Sequence, residues 1–196
     1  MFIHRLLVVR EDQNRVRLTS IHCNPSNSNE FCVSGHSSYV RVYDRRSVSK
    51  PLYQLWSNKY NMDEFLCIET AMYNHNGTEI LTLYKSDGIL SNKILLFDKS
   101  TWSCEGSWKH IYERPRFHGR KHLCVVITVL GINFFGPNSE YIMSGSNCGD
   151  IFIYDKNTED VVQWLSLYDQ FMSRRDYEVF YFIHLIKNFF FAVYVA

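Results

Sequence analysis

The chain has 196 residues, of which 46% are hydrophobic and 21% charged, a globular balance that argues against disorder. Its formal net charge is +1, so no global field recruits nucleic acid or an anionic membrane. That length suits one ordinary domain, or a piece of a larger one. The opening segment, Met1 to Arg10, has a four-residue apolar run at Leu6-Leu7-Val8-Val9 before charge returns. Such a run is too short for the core of a secretory signal. Six cysteines (Cys23, Cys32, Cys67, Cys104, Cys124, Cys148) include no C-x-x-C pair. Together these predict an intracellular protein, nuclear or cytoplasmic, with reduced thiols.

Short runs rich in Val, Ile, Tyr and Phe follow between turn residues, a strand pattern. Leu18 to His22 comes first, then a turn at Asn24-Pro25-Ser26-Asn27, then Phe31 to Gly35, Tyr39 to Asp44 and Leu52 to Trp56. A second unit runs Cys67 to Met72, a turn at Asn74-His75-Asn76-Gly77, Ile80 to Tyr84, Lys93 to Asp98 and a strand ending near Trp108. Asn76-Gly77 is a hairpin-turn signal. The third unit runs Leu130 to Phe134, a turn at Gly136-Pro137-Asn138-Ser139, Tyr141 to Gly145, Asp150 to Asp155 and Val161 to Leu165. An aromatic-Asp pair closes the third strand of each unit: Tyr43-Asp44, Phe97-Asp98 and Tyr154-Asp155, spaced 54 and 57 residues apart. The aromatic ending each third strand is expected to pack between neighbouring units, and a Ser-Gly ending the second strand suits a tight turn.

Four strands per unit, with an aromatic-Asp ending the third, spell a propeller blade of the WD type, whose usual period is roughly 40–45 residues. The fold class predicted is all-β: a partial WD-type β-propeller of about three four-stranded blades, over about 18–56, 67–108 and 129–165. Residues 109–128 are expected as a basic inserted loop within a 1–165 propeller fragment. An ordinary antiparallel sandwich with accidental repetition is the alternative. A lone four-stranded blade cannot hide two apolar faces, so neighbours must stack.

The stretches Leu18-Thr19-Ser20-Ile21-His22-Cys23-Asn24-Pro25, Tyr39-Val40-Arg41-Val42-Tyr43-Asp44-Arg45-Arg46 and Gly131 through Phe152 resemble one group. The group is the WD-repeat substrate receptors of cullin-4 RING ubiquitin ligases, the DDB- and cullin-associated factors. The resemblance covers about residues 6–165, with 111–127 poorly matched. It implies a seven-bladed propeller, of which this chain spells about three blades, and a non-enzymatic role. It also implies two partners, the ligase adaptor and a substrate protein whose identity is unknown. A Trp/Tyr-Asp-x-Arg box contacts the adaptor in that family, and Tyr43, Asp44 and Arg46 fit it here. Phe97-Asp98-Lys99-Ser100 and Tyr154-Asp155-Lys156-Asn157 lack the arginine, so those pairs are expected as structural repeat anchors. Such a box arginine suits docking because its planar fork makes paired charge-assisted hydrogen bonds. His110 is expected in a loop before a blade, with Asn147 at the position of its customary Asp partner.

Other chemistry finds little support. His118, His122 and Cys124 lie close in sequence, but no second cluster completes a zinc site and Arg120-Lys121 would repel a cation. Residues 109–122 carry a net +4, which reads first as a solvated insertion. No nucleophile elbow, phosphate loop or H-E-x-x-H motif is present, and no cofactor is expected. Beyond Leu165 the chain changes character: residues 166–196 hold 10 of the 31 aromatics and no Gly, Pro or Cys. That divergent apolar tail is read as translated non-coding sequence from an unspliced gene model, with a membrane anchor or a buried terminal element as alternatives. Its Lys187 and His184 argue against a membrane span.

Overall fold

The computed structural model describes residues 7–56, 65–86, 92–101, 110–112, 129–146 and 150–166. Among these the chain is all-β apart from one short 3-10 turn at Lys99–Thr101. A small hairpin, β1 (Arg10–Glu11) and β2 (Asn14–Arg15), precedes three four-stranded antiparallel sheets. The first sheet is β3 (Leu18–Cys23), β4 (Glu30–Gly35), β5 (Val40–Asp44) and β6 (Tyr53–Leu55). Its successor is β7 (Phe65–Tyr73), β8 (Glu79–Ser86), β9 (Lys93–Asp98) and β10 (His110–Tyr112). The third is β11 (Val129–Phe135), β12 (Tyr141–Ser146), β13 (Asp150–Asp155) and β14 (Val161–Ser166). Each sheet is an up-and-down meander in chain order.

The middle strands carry the core. β4 is buried at every position, and β9 and β13 are buried at all but their ends. Covered on both faces, they spell continuous apolar runs instead of an alternation. Register couples them: Cys32 pairs Val42, Leu81 pairs Leu96 and Ser144 pairs Phe152. The period-2 rule then sends alternate side chains to opposite neighbours. On β9, Leu95 and Phe97 join Cys32, Val40 and Val42 of the first sheet, while Ile94 and Leu96 join Ile142, Phe152 and Tyr154 of the third. Each fully buried Leu, Ile or Phe in these seams contributes about 1.5–3 kcal/mol from removal of apolar surface from water.

The first strands obey a different rule. β3 is mostly exposed, and its polar side chains reach the backbone of β7. Thr19 Oγ1 donates to the carbonyls of Ile68 and Glu69 at 3.1 Å, and His22 Nδ1 accepts from the Tyr73 amide at 3.2 Å. A register shift interrupts the first strand of every sheet, between Leu18 and Ser20, at two places in β7, and between Val129 and Gly131. Bulges of this kind add local twist and end regular pairing.

Three local expectations are revised. The fourth strand of the second unit is His110–Tyr112, paired to β9 through His110 and Leu96, and lies inside the stretch expected as an inserted loop. His110 therefore stands in a strand, not a loop; Trp108 and Asn147 lie outside the described residues. The Ser-Gly pairs were expected to serve tight turns; the first serves a close approach instead, and the turn after the second lies outside the described residues. At Gly35 a Cβ would collide with the carbonyl of Arg17, so the missing side chain admits a close backbone approach, whereas Gly145 faces open space. Gly77 takes φ +71° in the predicted Asn-Gly turn, and its bare Cα leaves room for the Asn24 side chain.

Candidate functional site

Three corners, one per sheet, form where the third strand ends on its aromatic-Asp pair. The aromatic of each pair turns toward the preceding side of its sheet. Phe97 is fully buried against the first sheet, and Tyr154 is buried against the second. Tyr43 is also buried, stacked on Phe31 at 5.8 Å within a cluster that includes Val9 and Val33. Its ring is thus a core anchor and is not presented at the surface, which leaves Asp44 and Arg46 as the accessible members of the expected docking box.

The aspartates share one task. Asp44 Oδ1 accepts the Arg46 amide at 2.9 Å, Asp98 Oδ1 accepts the Ser100 amide at 2.9 Å, and Asp155 Oδ1 accepts the amides of Asn157 and Thr158 at 2.8 and 2.9 Å. Each carboxylate closes the turn that follows its strand, as Asx turns do. The amides of Thr158 and Asn157 hold the Asp155 carboxyl below the usual range.

The corners differ in what else they hold. At the first, Arg46 clasps Asp44 with its fork: Nε to Oδ1 at 2.9 Å and Nη2 to Oδ2 at 2.6 Å. Its side chain is 69% exposed. This bonding holds the Asp44 carboxyl down at about 2 and raises the guanidinium. Arg46 Nη1 has no partner among the described residues, so the outward edge of the fork offers two N–H groups to an incoming acceptor.

The basic residue immediately after each aspartate was not singled out by sequence reasoning, and it proves informative. Lys99 follows Asp98 and crosses to the first sheet, placing Nζ 2.9 and 3.0 Å from the two carboxylate oxygens of Glu30. Lys156 follows Asp155 and crosses to the second sheet, placing Nζ 2.7 Å from Glu79 Oε2. Glu30 and Glu79 are buried at the start of the second strand, opposite Asp44 and Asp98 in register. A turn asparagine completes each carboxylate: Asn24 Nδ2 donates to Glu30 at 2.7 Å and Asn74 Nδ2 to Glu79 at 2.8 Å. Tyr73 adds its hydroxyl to Glu30 at 3.1 Å, and burial foremost pushes that hydroxyl's pKa up. The result is a two-rung ion-pair ladder from sheet to sheet.

At the first corner the equivalent residue, Arg45, is exposed and bonds Asn29 Oδ1 at 2.9 Å. At the third, Glu140 takes Asn138, through its amide at 2.9 Å and its side chain at 3.1 Å, and His75 also acts on its charge. A signal for the ladder was in the sequence: Arg45, Lys99 and Lys156 each follow the aspartate, and a glutamate opens the second strand of the first two units and immediately precedes that of the third.

Among the described residues no group of three His, Cys, Asp or Glu side chains is placed to hold a metal ion. The His118, His122 and Cys124 candidate lies outside them, as do the Arg and Lys residues of 113–122. No helix of the described residues is long and apolar enough to cross a membrane.

No protein-family model matches the chain. Its structure is similar to a coat protein in the outer coat vertex of COPII on membranes, with a TM-score of 0.59 and 13% identity over 81% of this chain and 38% of that one. It is equally similar to a chain of the COPII coat assembled on membranes, at TM-score 0.59 and 13% identity, covering 81% of this chain and 21% of that one. This chain thus spans well under half the length of either. In all, 552 solved chains match. At such identity the likeness speaks to architecture: an all-β fold of four-stranded antiparallel sheets shared with β-propeller-containing coat proteins.

Proposed function

We propose that the chain comprises three blades of a WD-type propeller and acts as a protein interaction module, a substrate receptor that docks the adaptor of a cullin-4 RING ligase and presents a substrate protein. The observation that carries this reading is the split among the corners. Lys99 and Lys156 are spent on buried glutamates, whereas Arg46 stands outward with its fork already oriented by Asp44. A pre-oriented guanidinium loses little rotamer freedom on binding. It suits a backbone carbonyl or carboxylate on the adaptor. The mechanism is positioning: one surface holds the ligase while another holds the substrate.

Co-purification tests the assignment. Arg46→Ala should sharply reduce recovery of the adaptor while the unfolding midpoint moves only slightly, because the removed group is exposed and its pairing with Asp44 is screened by water. Unchanged recovery would sink the Arg46 assignment.

The likeness to COPII coat chains favours a second reading, a scaffold outside ubiquitination. On that reading pull-downs recover partners but no cullin, and Arg46→Ala has no bearing on any ligase component.

A further inference from the structure

The preceding-side face of the first sheet is covered differently from the other two. Phe97 and Tyr154 meet a four-stranded sheet, whereas Tyr43 meets residues 7–16, a segment whose two strands have two residues each. On that face lies Arg41, only 4% exposed. Its Nη2 is ion-paired to Glu11 of the hairpin, and Ser37 Oγ bridges the pair, donating to Glu11 at 2.6 Å and accepting from Arg41 Nη1 at 3.0 Å. The Tyr39 ring lies 5.4 Å from the guanidinium carbon. Val9, two residues before Glu11, enters the apolar cluster of Phe31, Val33 and Tyr43. Two residues apart on an extended strand means the same side of it, so the face reads an apolar residue and an acid spaced as Val9 and Glu11 are.

The hairpin that fills this place is weakly built. Strands of two residues give few ladder bonds, and an isolated hairpin is marginal at best. Its turn holds Asp12 at φ 45° and Gln13 at φ 73°, both left-handed and neither glycine. Left-handed non-glycine residues of this kind carry strain. The receptor is well made, with a buried cation and an apolar cluster of Phe31, Val33 and Tyr43, while its occupant is strained.

We propose that this face is a docking groove for an extended partner strand of the pattern apolar-x-acidic, and that residues 9–11 occupy it in cis as a built-in competitor. A partner strand would seat its carboxylate on Arg41 and Ser37 and its apolar side chain beside Tyr43. Affinity for it is reduced by the fraction of time the cis segment is in place.

A fluorescent synthetic peptide of residues 7–16, titrated against the full chain, tests this. Glu11→Gln weakens the cis occupant, so that chain should bind the peptide about tenfold more tightly than the unaltered chain. The double substitution Asp12→Asn with Gln13→Gly suits the left-handed turn, strengthens the cis hairpin and should weaken peptide binding severalfold. A peptide carrying glutamine in place of its glutamate should bind poorly to every form. Because the turn variant removes no contact to the sheet, it decides the matter alone if Glu11→Gln fails to fold. Equal affinity across the folded variants, or no binding to any folded form at millimolar peptide, overturns the proposal and makes residues 7–16 a permanent part of the fold.

Discussion

The first corner and the third are built from the same pieces and end in opposite places. Tyr43-Asp44-Arg45-Arg46 and Tyr154-Asp155-Lys156-Asn157 both bury the aromatic and both close a turn with the aspartate. In the third, the next residue goes inward: the Lys156 side chain is 16% exposed and ion-paired to a Glu79 side chain that is 10% exposed. In the first, both arginines stay outside. A repeat's surface is available for recognition where its own internal bond is not being made. The aspartate alone therefore says little about function, and the residues one and two positions later say more.

The largest effects should fall on the shared, buried part of the comparison. Phe97→Ala empties a fully buried site in the first seam and should cost about 3–5 kcal/mol in urea unfolding. A loss under about 1 kcal/mol would mean that the seam is not the packed interface described.

Breaking the ladder ranks next, and its two rungs should differ. Lys156→Met leaves Glu79 as a buried carboxylate with only Asn74 and should cost about 3 kcal/mol. Lys99→Met should cost less, about 1–2 kcal/mol, because that lysine side chain is already 35% exposed and Glu30 keeps Asn24 and Tyr73. Equal losses would argue that burial does not set the rung's worth.

Thiol chemistry sharpens the same seam more gently. Cys32 is buried between the first two sheets, and burial pushes its thiol up to about 12, whereas Cys23 is exposed. A thiol reagent at pH 8 should label Cys23 promptly and Cys32 only as the seam opens. Lys99→Met should speed the labelling of Cys32. Prompt labelling of Cys32 in the unaltered chain would contradict its burial.

The smallest effect is at the first corner. The Arg46 fork holds the Asp44 carboxyl down at about 2 in the folded chain, against ~3.9 for an unfolded aspartate. Its contribution to stability is therefore complete above the unfolded value and lost as pH falls from there toward 2. Carbon-detected NMR titration should place Asp44 near that low value, and Arg46→Ala should return it toward the ordinary carboxylate range. No movement in the variant would show that the fork does not hold the carboxylate.

Much of the fold was legible because its signals are local. Alternating turn residues and β-branched runs mark the strands, and Asn76-Gly77 marks a turn that only a left-handed glycine completes. The fourth strand of the second sheet was misplaced because His110-Ile111-Tyr112 is too short and too polar in its surroundings to stand out. The ladder escaped notice for a different reason. Glu30 and Lys99 lie 69 residues apart, and only stacking of sheets brings them within 2.9 Å. Arg41 and Glu11 are 30 residues apart, and a charge inside a strand otherwise rich in apolar residues gives no hint of its partner. Tyr43 entered the docking box by resemblance, yet as the aromatic ending a third strand it was also expected to pack between units, and the structure buries it.

The division of labour among the corners is tested most directly by measuring adaptor capture per folded molecule for Arg46→Ala and Lys156→Met side by side with the unaltered chain. The account predicts that Arg46→Ala loses capture with at most a slight fall in the unfolding midpoint, while Lys156→Met lowers the midpoint clearly and keeps capture. Full capture by Arg46→Ala would contradict it.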